Sequence, residues 1–252
     1  PAIAHTDLGE IGVMVCADVT RPEGWKSYAG QVDLLLVASS PPDAGQMTLT
    51  FPSGEMVSLA ELGAGISSVQ DASRKAFSGW LAQNARWLGV PVAVSSTSGQ
   101  FRSYLPNGTL TSLSLLPGAP QIASQLIDAN NARIESPMLD ACQVVGADGR
   151  VLAQRNSSEG EGFILAEVTL PGKHPAPAGR APSLPGDLQA GTLLSDFLAL
   201  LSVPSYRRGL RRAQGDRMAP VHPKTKKRLG FLVLGAFTGL LLTAFLRRRR
   251  CC

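Results

Sequence analysis

The hydrophobic positions of the chain fall into short continuous runs and one long periodic stretch. Apolar runs at residues 11–15, 33–39 and 90–94 are typical of buried strands in a covered sheet. Between the last two runs, apolar residues recur every three or four positions over 70–88, which predicts an amphipathic helix ending at Gly89. The face of that helix expected in the core comprises Ala76, Phe77, Trp80, Leu81, Asn84 and Leu88.

Weaker patterns predict the remaining elements. A helix is expected over 22–31, with Pro22 in its first turn, and another over 121–133. The pair Asn107-Gly108 predicts a hairpin turn, and a second hairpin is expected between 142–145 and 150–153. A final strand is predicted at 163–170, whereas 41–68 is rich in loop-forming residues.

Beyond residue 170 the composition changes. Residues 171–185 are rich in Pro, Ala and Gly, and with the basic stretch that follows they predict a linker over 171–228. Residues 229–246 carry no charge in 18 positions, and as a helix they would be roughly 27 Å long, enough for a bilayer core. This predicts a carboxyl-terminal transmembrane helix, followed by a basic tail at 247–252.

Charge is distributed unevenly between the two parts of the chain. Residues 204–252 hold 13 Lys or Arg and one acid, whereas residues 1–203 hold 11 Lys or Arg and 18 acids. A basic tail beside an apolar span favours membrane lipid as its partner, and no basic-aromatic stripe typical of nucleic-acid binders is present. There is also no glycine-rich phosphate loop, and the spacing of the four cysteines predicts neither a zinc site nor a disulfide framework, so no cofactor is expected.

Cys16 follows the first apolar run and precedes a turn that contains Pro22. The ends of strands in sheets flanked by helices often display reactive groups, and backbone N–H groups of the turn could stabilise a thiolate or an oxyanion. A lone cysteine after an apolar strand is nevertheless more often a core residue. Cys142, in the second predicted hairpin, is expected to be buried in the core.

Three stretches resemble the carbon–nitrogen hydrolase (nitrilase) superfamily. Residues 7–18 with 21–23 resemble its nucleophile segment, which has a Gly-x-x-Gly lead-in, an apolar strand, Cys, an acidic residue two later and then Pro-Glu. Residues 33–40 resemble the next strand, and 146–153 with 161–168 resemble the closing hairpin and strand. The resemblance covers about residues 1–170, which it implies form one domain.

The resemblance implies an α/β fold, a four-layer α-β-β-α sandwich of which this chain supplies the later part. It implies hydrolysis of an amide or nitrile, with Cys16 as nucleophile, the Ala17 N–H as oxyanion donor, and Asp18 as an anchor of the turn. It also implies a homodimer.

The sequence departs from the family pattern at several positions. Ala17 stands where the family often has an aromatic residue, and Thr20 stands where an Arg is common. The Glu base and the Lys of the family lie well upstream of the Cys, but no Lys occurs among residues 1–15 and Glu10 belongs to the Gly-x-x-Gly lead-in. Because the chain begins with Pro1, we expect it to be the later part of a longer protein. If a base lies within this chain, His5 is the first candidate.

Two other functions remain open on the sequence. One is an N-acyltransferase of the same superfamily, although members of that group have several membrane spans. The other is a non-catalytic, membrane-tethered binding or scaffold protein. Thiol chemistry favours a reducing compartment, so the domain is expected in the cytoplasm.

Overall fold

The computed structural model describes residues 1–61, 71–116, 119–172 and 174–213. It is a mixed α/β structure with two sheets. The strands are β1 Ala2–Thr6, β2 Gly9–Val15, β3 Leu34–Ser39, β4 Thr48–Thr50, β5 Met56–Ser58, β6 Val92–Ser96, β7 Gln100–Tyr104, β8 Arg133–Pro137, β9 Gln143–Val145 and β10 Val151–Gln154. The helices are α1 Pro22–Tyr28, α2 (Ala72–Lys75, a π-helical turn Ala76–Trp80, and Leu81–Leu88), α3 Gly108–Leu115 and α4 Gly186–Ala213.

The larger sheet has six strands in the order β1-β2-β3-β6-β9-β10. Its centre is parallel, because β2 pairs with β3 and β3 with β6 in the same direction. Strands β9 and β10 form the second predicted hairpin, and β9 pairs with β6 in antiparallel fashion. At the other side of the sheet, β1 pairs with β2, also antiparallel. Consequently β2, β3, β6 and β10 all end at one edge of the sheet, which we call the carboxyl edge, and β9 begins there.

Among the described residues, helices cover one face of this sheet. Met14, Val37 and Val94 are side by side in register and are buried with the side chains of α1 and α2. On the other face, Val13 pairs with Leu36, and both are exposed, as is Val15 at 60%. Parallel sheets are normally buried on both faces, so this face has the composition of an interior surface.

Helix α2 matches the sequence prediction. All six residues expected on its core face are buried, and Gly89 ends the helix with φ +70°. The left-handed conformation at that position favours glycine because a side chain would clash there. The amphipathic period therefore located both the core face and the end of this helix.

The smaller sheet, in the order β5-β4-β8-β7, was not predicted. Two of its strands, only three residues long, lie in the stretch predicted to be loop-rich, where so short an alternation gives little signal. It packs on its own hydrophobic cluster, which includes Leu49, Phe51 and Ile122.

Two predictions for the segment between β7 and β8 are wrong. Asn107 has φ +45°, as a turn residue should, but it precedes helix α3 and not a returning strand. A Cβ on Gly108 would lie 1.7 Å from the Ala129 carbonyl oxygen, so tertiary contact and not hairpin geometry explains this glycine. In place of a helix over 121–133, short 3-10 turns at Pro120–Gln125 and Ala129–Asn131 lead into β8.

Residues 163–170, predicted to be the last strand, have no sheet partner among the described residues. Burial still alternates along this segment, with Phe163 78% and Leu165 83% exposed and Ile164 partly buried between them. The alternation has the period of a strand, but the hydrogen-bonding partner that would make it one is absent from the described part of the chain.

The first half of the predicted linker lies against the domain. The Ala178 N–H donates to the Trp87 carbonyl oxygen (2.8 Å), and Trp87 Nε1 donates to the Gly179 carbonyl oxygen (3.3 Å). Leu188 of α4 is buried in the main core. Residues 1–205 form one compact unit that contains both sheets. Residues 206–213, which lie outside that unit, are the end of α4.

The predicted transmembrane helix at 229–246 and the basic tail at 247–252 lie outside the described residues. Within the described ranges, no helix is both long enough and apolar enough to cross a membrane.

Candidate functional site

Cys16 lies at the carboxyl edge of the larger sheet, directly after β2, and is partly exposed. Its φ is +44°, and Asn107 is the only other non-glycine residue with positive φ in the described ranges. Left-handed backbone costs an L-residue roughly 1–2 kcal/mol. Strained residues at strand ends are a feature of nucleophile turns, in which the reactive side chain is held out of the sheet.

Hydrogen bonds within the next few residues hold this turn. Asp18 Oδ2 accepts from the Val15 N–H (3.0 Å), so the carboxylate bridges the strand end and the 3-10 helix Cys16–Thr20. Thr20 Oγ1 donates to the Ala17 carbonyl oxygen (2.8 Å), and the Arg21 N–H donates to the Asp18 carbonyl oxygen (3.0 Å). Asp18 thus has the contacts of a residue that anchors the turn, as the resemblance implied.

Two tryptophans fasten the turn to the core. Trp25 Nε1 on α1 and Trp80 Nε1 on α2 both donate to the carbonyl oxygen of Val19, at 2.8 and 2.7 Å. Val19 and Trp25 are fully buried, and Trp80 nearly so. A buried carbonyl with two lone pairs is fully satisfied by this arrangement, which fixes the position of the turn relative to both helices.

Each glycine of the Gly-x-x-Gly lead-in has a packing reason. Gly9 has φ +118°, and a Cβ there would lie 2.6 Å from Asp33 Oδ2, which accepts from the Glu10 N–H (3.0 Å). At Gly12, a Cβ would lie 2.6 Å from Leu35 Cδ2 and 2.8 Å from Tyr28 Cδ1. Both glycines therefore let neighbouring elements approach β2 closely, and they set the position of the strand that carries Cys16.

A cavity of about 370 Å³ opens at the carboxyl edge, beside the ends of β6 and β10. Cys16 does not line it. Strand β3 lies between β2 and β6, so Cys16 and the near wall are separated by about 10 Å, two strand spacings. The cavity is lined by Ser96, Thr97, Ser98, Leu139, Asp140, Ala141, Cys142, Arg155, Asn156, Gly160, Glu161 and Gly162.

The expectation that Cys142 is a core residue is wrong. Its side chain is partly exposed and lines the cavity, because β9 begins one residue later at the carboxyl edge. Between Cys142 and Cys16, the hydroxyls of Ser40 and Thr97 are 2.7 Å apart and hydrogen-bond across the ends of β3 and β6. The carboxyl edge thus carries two free thiols separated by a row of hydroxyl groups.

The loop after β3 is fixed by a buried carboxylate. Asp43 accepts from the Gly45 N–H (3.1 Å), Gln46 Nε2 (2.8 Å) and Arg74 Nη2 (2.5 Å). The hydrogen bond and the charge of Asp43 raise the pKa of Arg74 above its ordinary value. This pair ties α2 to the loop that borders the carboxyl edge.

Comparison with known proteins gives only weak structural evidence of relatedness. No protein-family model matches the chain, and no curated protein matches it. Among solved structures, the chain is similar to the crystal structure of a carbon-nitrogen hydrolase from Helicobacter pylori G27, with a TM-score of 0.36 and 17% identity. The match covers 62% of this chain and 39% of that one, so the chain spans well under half the length of that relative.

No histidine of the described residues is positioned to act on Cys16. His5 pairs with Glu10 across β1 and β2 and its Nδ1 contacts the Glu10 carboxylate, about 20 Å from Cys16 at the opposite end of β2. His174 Nδ1 lies 3.4 Å from Asp33 Oδ1, just before β3 begins, at that same far end. The suggestion of His5 as a base for Cys16 is therefore wrong. In the described ranges no three His, Cys, Asp or Glu side chains converge to hold a metal ion.

Sequence reasoning found Cys16, but it missed the cavity beside the ends of β6 and β10. Asp140, Arg155, Asn156 and Glu161 follow or precede the strands of a hairpin that was predicted correctly. Its signal was the period of the strands, which does not reveal where the hairpin joins the sheet. Only the β6–β9 pairing brings these residues to the carboxyl edge.

Proposed function

We propose that the protein hydrolyses non-peptide carbon–nitrogen bonds, in an amide or a nitrile, with Cys16 as the nucleophile. The observation that supports this most directly is the backbone at Cys16, a strained left-handed residue at a strand end. Its turn is held by the Asp18 side chain and by the Val19 carbonyl oxygen, which accepts two hydrogen bonds. A merely structural cysteine needs no such conformation, which costs free energy.

In this proposal the Cys16 thiolate attacks the amide carbon and forms the C–S bond of a tetrahedral intermediate. Collapse of the intermediate breaks the C–N bond, the leaving amine takes up a proton, and a thioester remains on Cys16. Water then attacks the thioester, which releases the carboxylic acid and restores the thiol. A nitrile would pass through a thioimidate instead. The Ala17 N–H, near the start of the 3-10 helix, would donate to the oxyanion.

The thiol must lose its proton before it attacks, and this requires a base. In the superfamily that the sequence resembles, a Glu and a Lys upstream of the Cys serve this step. Neither histidine near β2 or β3 is within reach of Cys16, so we propose that residues 1–252 by themselves do not turn over amides or nitriles. Turnover by this chain alone would contradict that statement.

The test of the nucleophile uses the protein in detergent together with the upstream part that the proposal requires to supply the Glu and the Lys, and a panel of small amides and nitriles. We expect Cys16→Ala to lose turnover by about a thousandfold or more and to keep its unfolding midpoint within a few degrees. Cys252→Ser is the matched thiol control and should remain active. Mass spectrometry with a slow substrate should detect the acyl adduct on the peptide containing Cys16. Undiminished turnover by Cys16→Ala would refute the assignment.

The exposed sheet face supports the proposed four-layer sandwich. Val13, Val15 and Leu36 expose apolar surface on a parallel sheet, and residues 163–170 extend without a strand partner in the described ranges. We propose that a second α/β layer covers this face in the active protein, and that the active protein is a homodimer. Analytical ultracentrifugation tests the dimer. Amide hydrogen exchange in the strands that carry Val13 and Leu36 tests whether this face is covered.

We further propose that residues 229–246 anchor the protein to the membrane, with the domain in the cytoplasm and membrane lipid as a partner.

An N-acyltransferase of the same superfamily would share the thioester and pass the acyl group to an amine instead of water. A non-catalytic scaffold is the remaining alternative, since neither His5 nor His174 lies near Cys16. The acyl adduct distinguishes an enzyme from a scaffold, and the product formed with and without an added amine distinguishes the two enzymes.

A further inference from the structure

The face of helix α4 that is buried at its start becomes exposed further along the helix. Leu188 is 1% exposed in the main core, and a Cβ on Gly191 would lie 2.6 Å from the Ala72 Cβ, so the first turns of α4 rest closely on α2. Ala199 follows Leu188 by eleven residues, which is about three helical turns, and so lies on the same face. Ala199 is nevertheless exposed. The packing of this face on the domain therefore ends before Ala199.

Ion pairs fix the part of α4 that precedes residue 197. Asp187 pairs with Lys75 of α2, and Asp196 Oδ1 lies 2.5 Å from Nη2 of Arg21, which follows the Cys16 turn. Asp187 and Asp196 are the only acids in the sequence of α4. Both acids of the helix are therefore matched by cations of the domain, and all of its negative charge lies in this first part.

Residues 197–213, which we call the distal part of α4, carry an exposed apolar stripe. Leu200 is 59% exposed, and Val203 and Tyr206 are exposed too. At about 100° per residue, Ala199, Leu200 and Val203 lie within roughly 100° of the helix circumference, the width of the stripe that a helix normally buries. An apolar stripe of this width is expected to have a cover.

The charge of the neighbouring sequence indicates what the cover is. Residues 197–206 carry no charge, 207–213 contain four Arg and no acid, and 214–228 add five Lys or Arg and one acid before the uncharged residues 229–246. An apolar stripe followed by clustered cations is typical of helices that lie in the interface of an anionic bilayer. A protein partner would need an apolar groove and an acidic rim in register, whereas such a bilayer supplies both without any register.

We propose that the distal part of α4 lies in the interface of an anionic membrane, with Leu200 and Val203 towards the acyl chains and the basic end of the helix at the headgroups. So short a stripe binds weakly and reversibly by itself, because binding grows with the apolar area buried and with the charge at the surface. The contact is distinct from the proposed anchor at 229–246, which would cross the bilayer, and it requires no hydrolysis by Cys16.

A fluorescent label at one position of the helix tests this contact. The full chain is prepared with its four Cys replaced by Ala or Ser, and Leu200→Cys then supplies a single thiol for a nitrobenzoxadiazole dye. The protein is titrated with phosphatidylcholine vesicles that contain about one quarter phosphatidylglycerol, with or without a nitroxide on the acyl chains. Gln189→Cys, exposed on the first part of the same helix, is the matched control site.

We expect vesicles to shift the emission of the label at 200 to shorter wavelength, and the nitroxide lipid to quench it, whereas the label at 189 should show neither effect. Val203→Asp should return the label at 200 to water. Val151→Asp, at an exposed position of β10, is the matched control and should leave the label in lipid.

Charge is tested in the same titration. Arg207→Gln should lower the ratio of lipid-buried to water-exposed label at 200 about fivefold, the effect of one cation near an anionic surface. Lys26→Gln, on the exposed surface of α1, should leave the ratio unchanged. Vesicles of phosphatidylcholine alone should bury less of the label.

A label at 200 that stays in water, an equal response at 189 and 200, or an unchanged response with Val203→Asp would each overturn the proposal. Shielding of the label without lipid as the protein concentration rises would also overturn it, since a second copy would then cover the stripe. Extraction of the vesicles with alkaline carbonate, which removes peripheral proteins and leaves spanning ones, tests the anchor separately. A retained protein with its label in water refutes only the interfacial helix, and an extracted protein whose label had been in lipid refutes only the anchor.

Discussion

The indole N–H groups of Trp25 and Trp80 donate to one acceptor, the carbonyl oxygen of Val19, from two different helices. This shared acceptor lies three residues beyond Cys16, in the turn that positions its thiol. Because each donor occupies one lone pair, the loss of either still leaves the carbonyl partly satisfied.

We therefore expect Trp25→Phe and Trp80→Phe to cost about 1–3 kcal/mol of unfolding free energy each, through lost packing and one hydrogen bond. The double variant should cost about 1 kcal/mol more than the sum, because only then is the buried carbonyl orphaned. Urea denaturation of the four proteins measures this coupling. Trp87→Phe, whose Nε1 bonds Gly179, is the control and should be additive with either.

The left-handed backbone at Cys16 predicts a separation of stability from activity. Cys16→Gly should be about 1 kcal/mol more stable than Cys16→Ala, since glycine adopts φ +44° without the Cβ clash. Both variants should lack turnover. Equal unfolding free energies of the two variants would show that the turn relaxes and that its strain is not retained.

The close approach at Gly12 predicts a large effect of one methyl group. Gly12→Ala should destabilise the protein by about 1–3 kcal/mol, because its Cβ would overlap Leu35 and Tyr28. Gly79→Ala is the matched control, since Gly79 is a helical glycine with no atom within 4 Å of the added Cβ. It should be neutral or stabilising by up to about 1 kcal/mol. Thermal unfolding of the two variants under the same conditions measures the difference.

The start of α4 predicts a pH dependence. The side-chain hydrogen bond from Lys75, and then the Leu188 N–H, hold the pKa of Asp187 below its ordinary value of 3.8. A lowered pKa in the folded state means that the stabilising contribution is complete above that ordinary value and is lost as the pH falls through the folded pKa. In Asp187→Asn the free energy of unfolding should therefore fall less steeply as the pH is lowered below about 4. Asp7→Asn, in the exposed turn between β1 and β2, should show the same fall as the unaltered protein. Urea denaturation at a series of pH values measures both.

Residues 229–246 predict membrane anchoring. Deleting 229–252 should move the protein into the soluble fraction, whereas deleting only 247–252 should leave it in the membrane fraction. Protease added to right-side-out cells should leave the domain intact if it faces the cytoplasm. Digestion from outside would reverse the proposed orientation, and a full-length protein in the soluble fraction would refute the anchor.

The sequence by itself determined the parts of this protein that depend on local periodicity. The apolar runs located β2, β3 and β6, the 3.6-residue period identified the core face of α2, and Gly89 marked its end. The placement of Cys16 after a strand and before a turn followed from the same local pattern. These features are fixed by residues close together in the chain, so a single sequence contains their signal.

The tertiary structure alone decided which distant segments meet. No local pattern indicates that Trp25 and Trp80 bond one carbonyl, or that Gly108 is required by the Ala129 backbone and not by a hairpin. The pairing of β9 with β6 exposes Cys142 in a cavity, where its apolar neighbours had suggested the core. The pairing of β1 with β2 places His5 at the end of the sheet away from Cys16. Register and strand order arise from packing between segments far apart in the chain, and that packing overrides local preference.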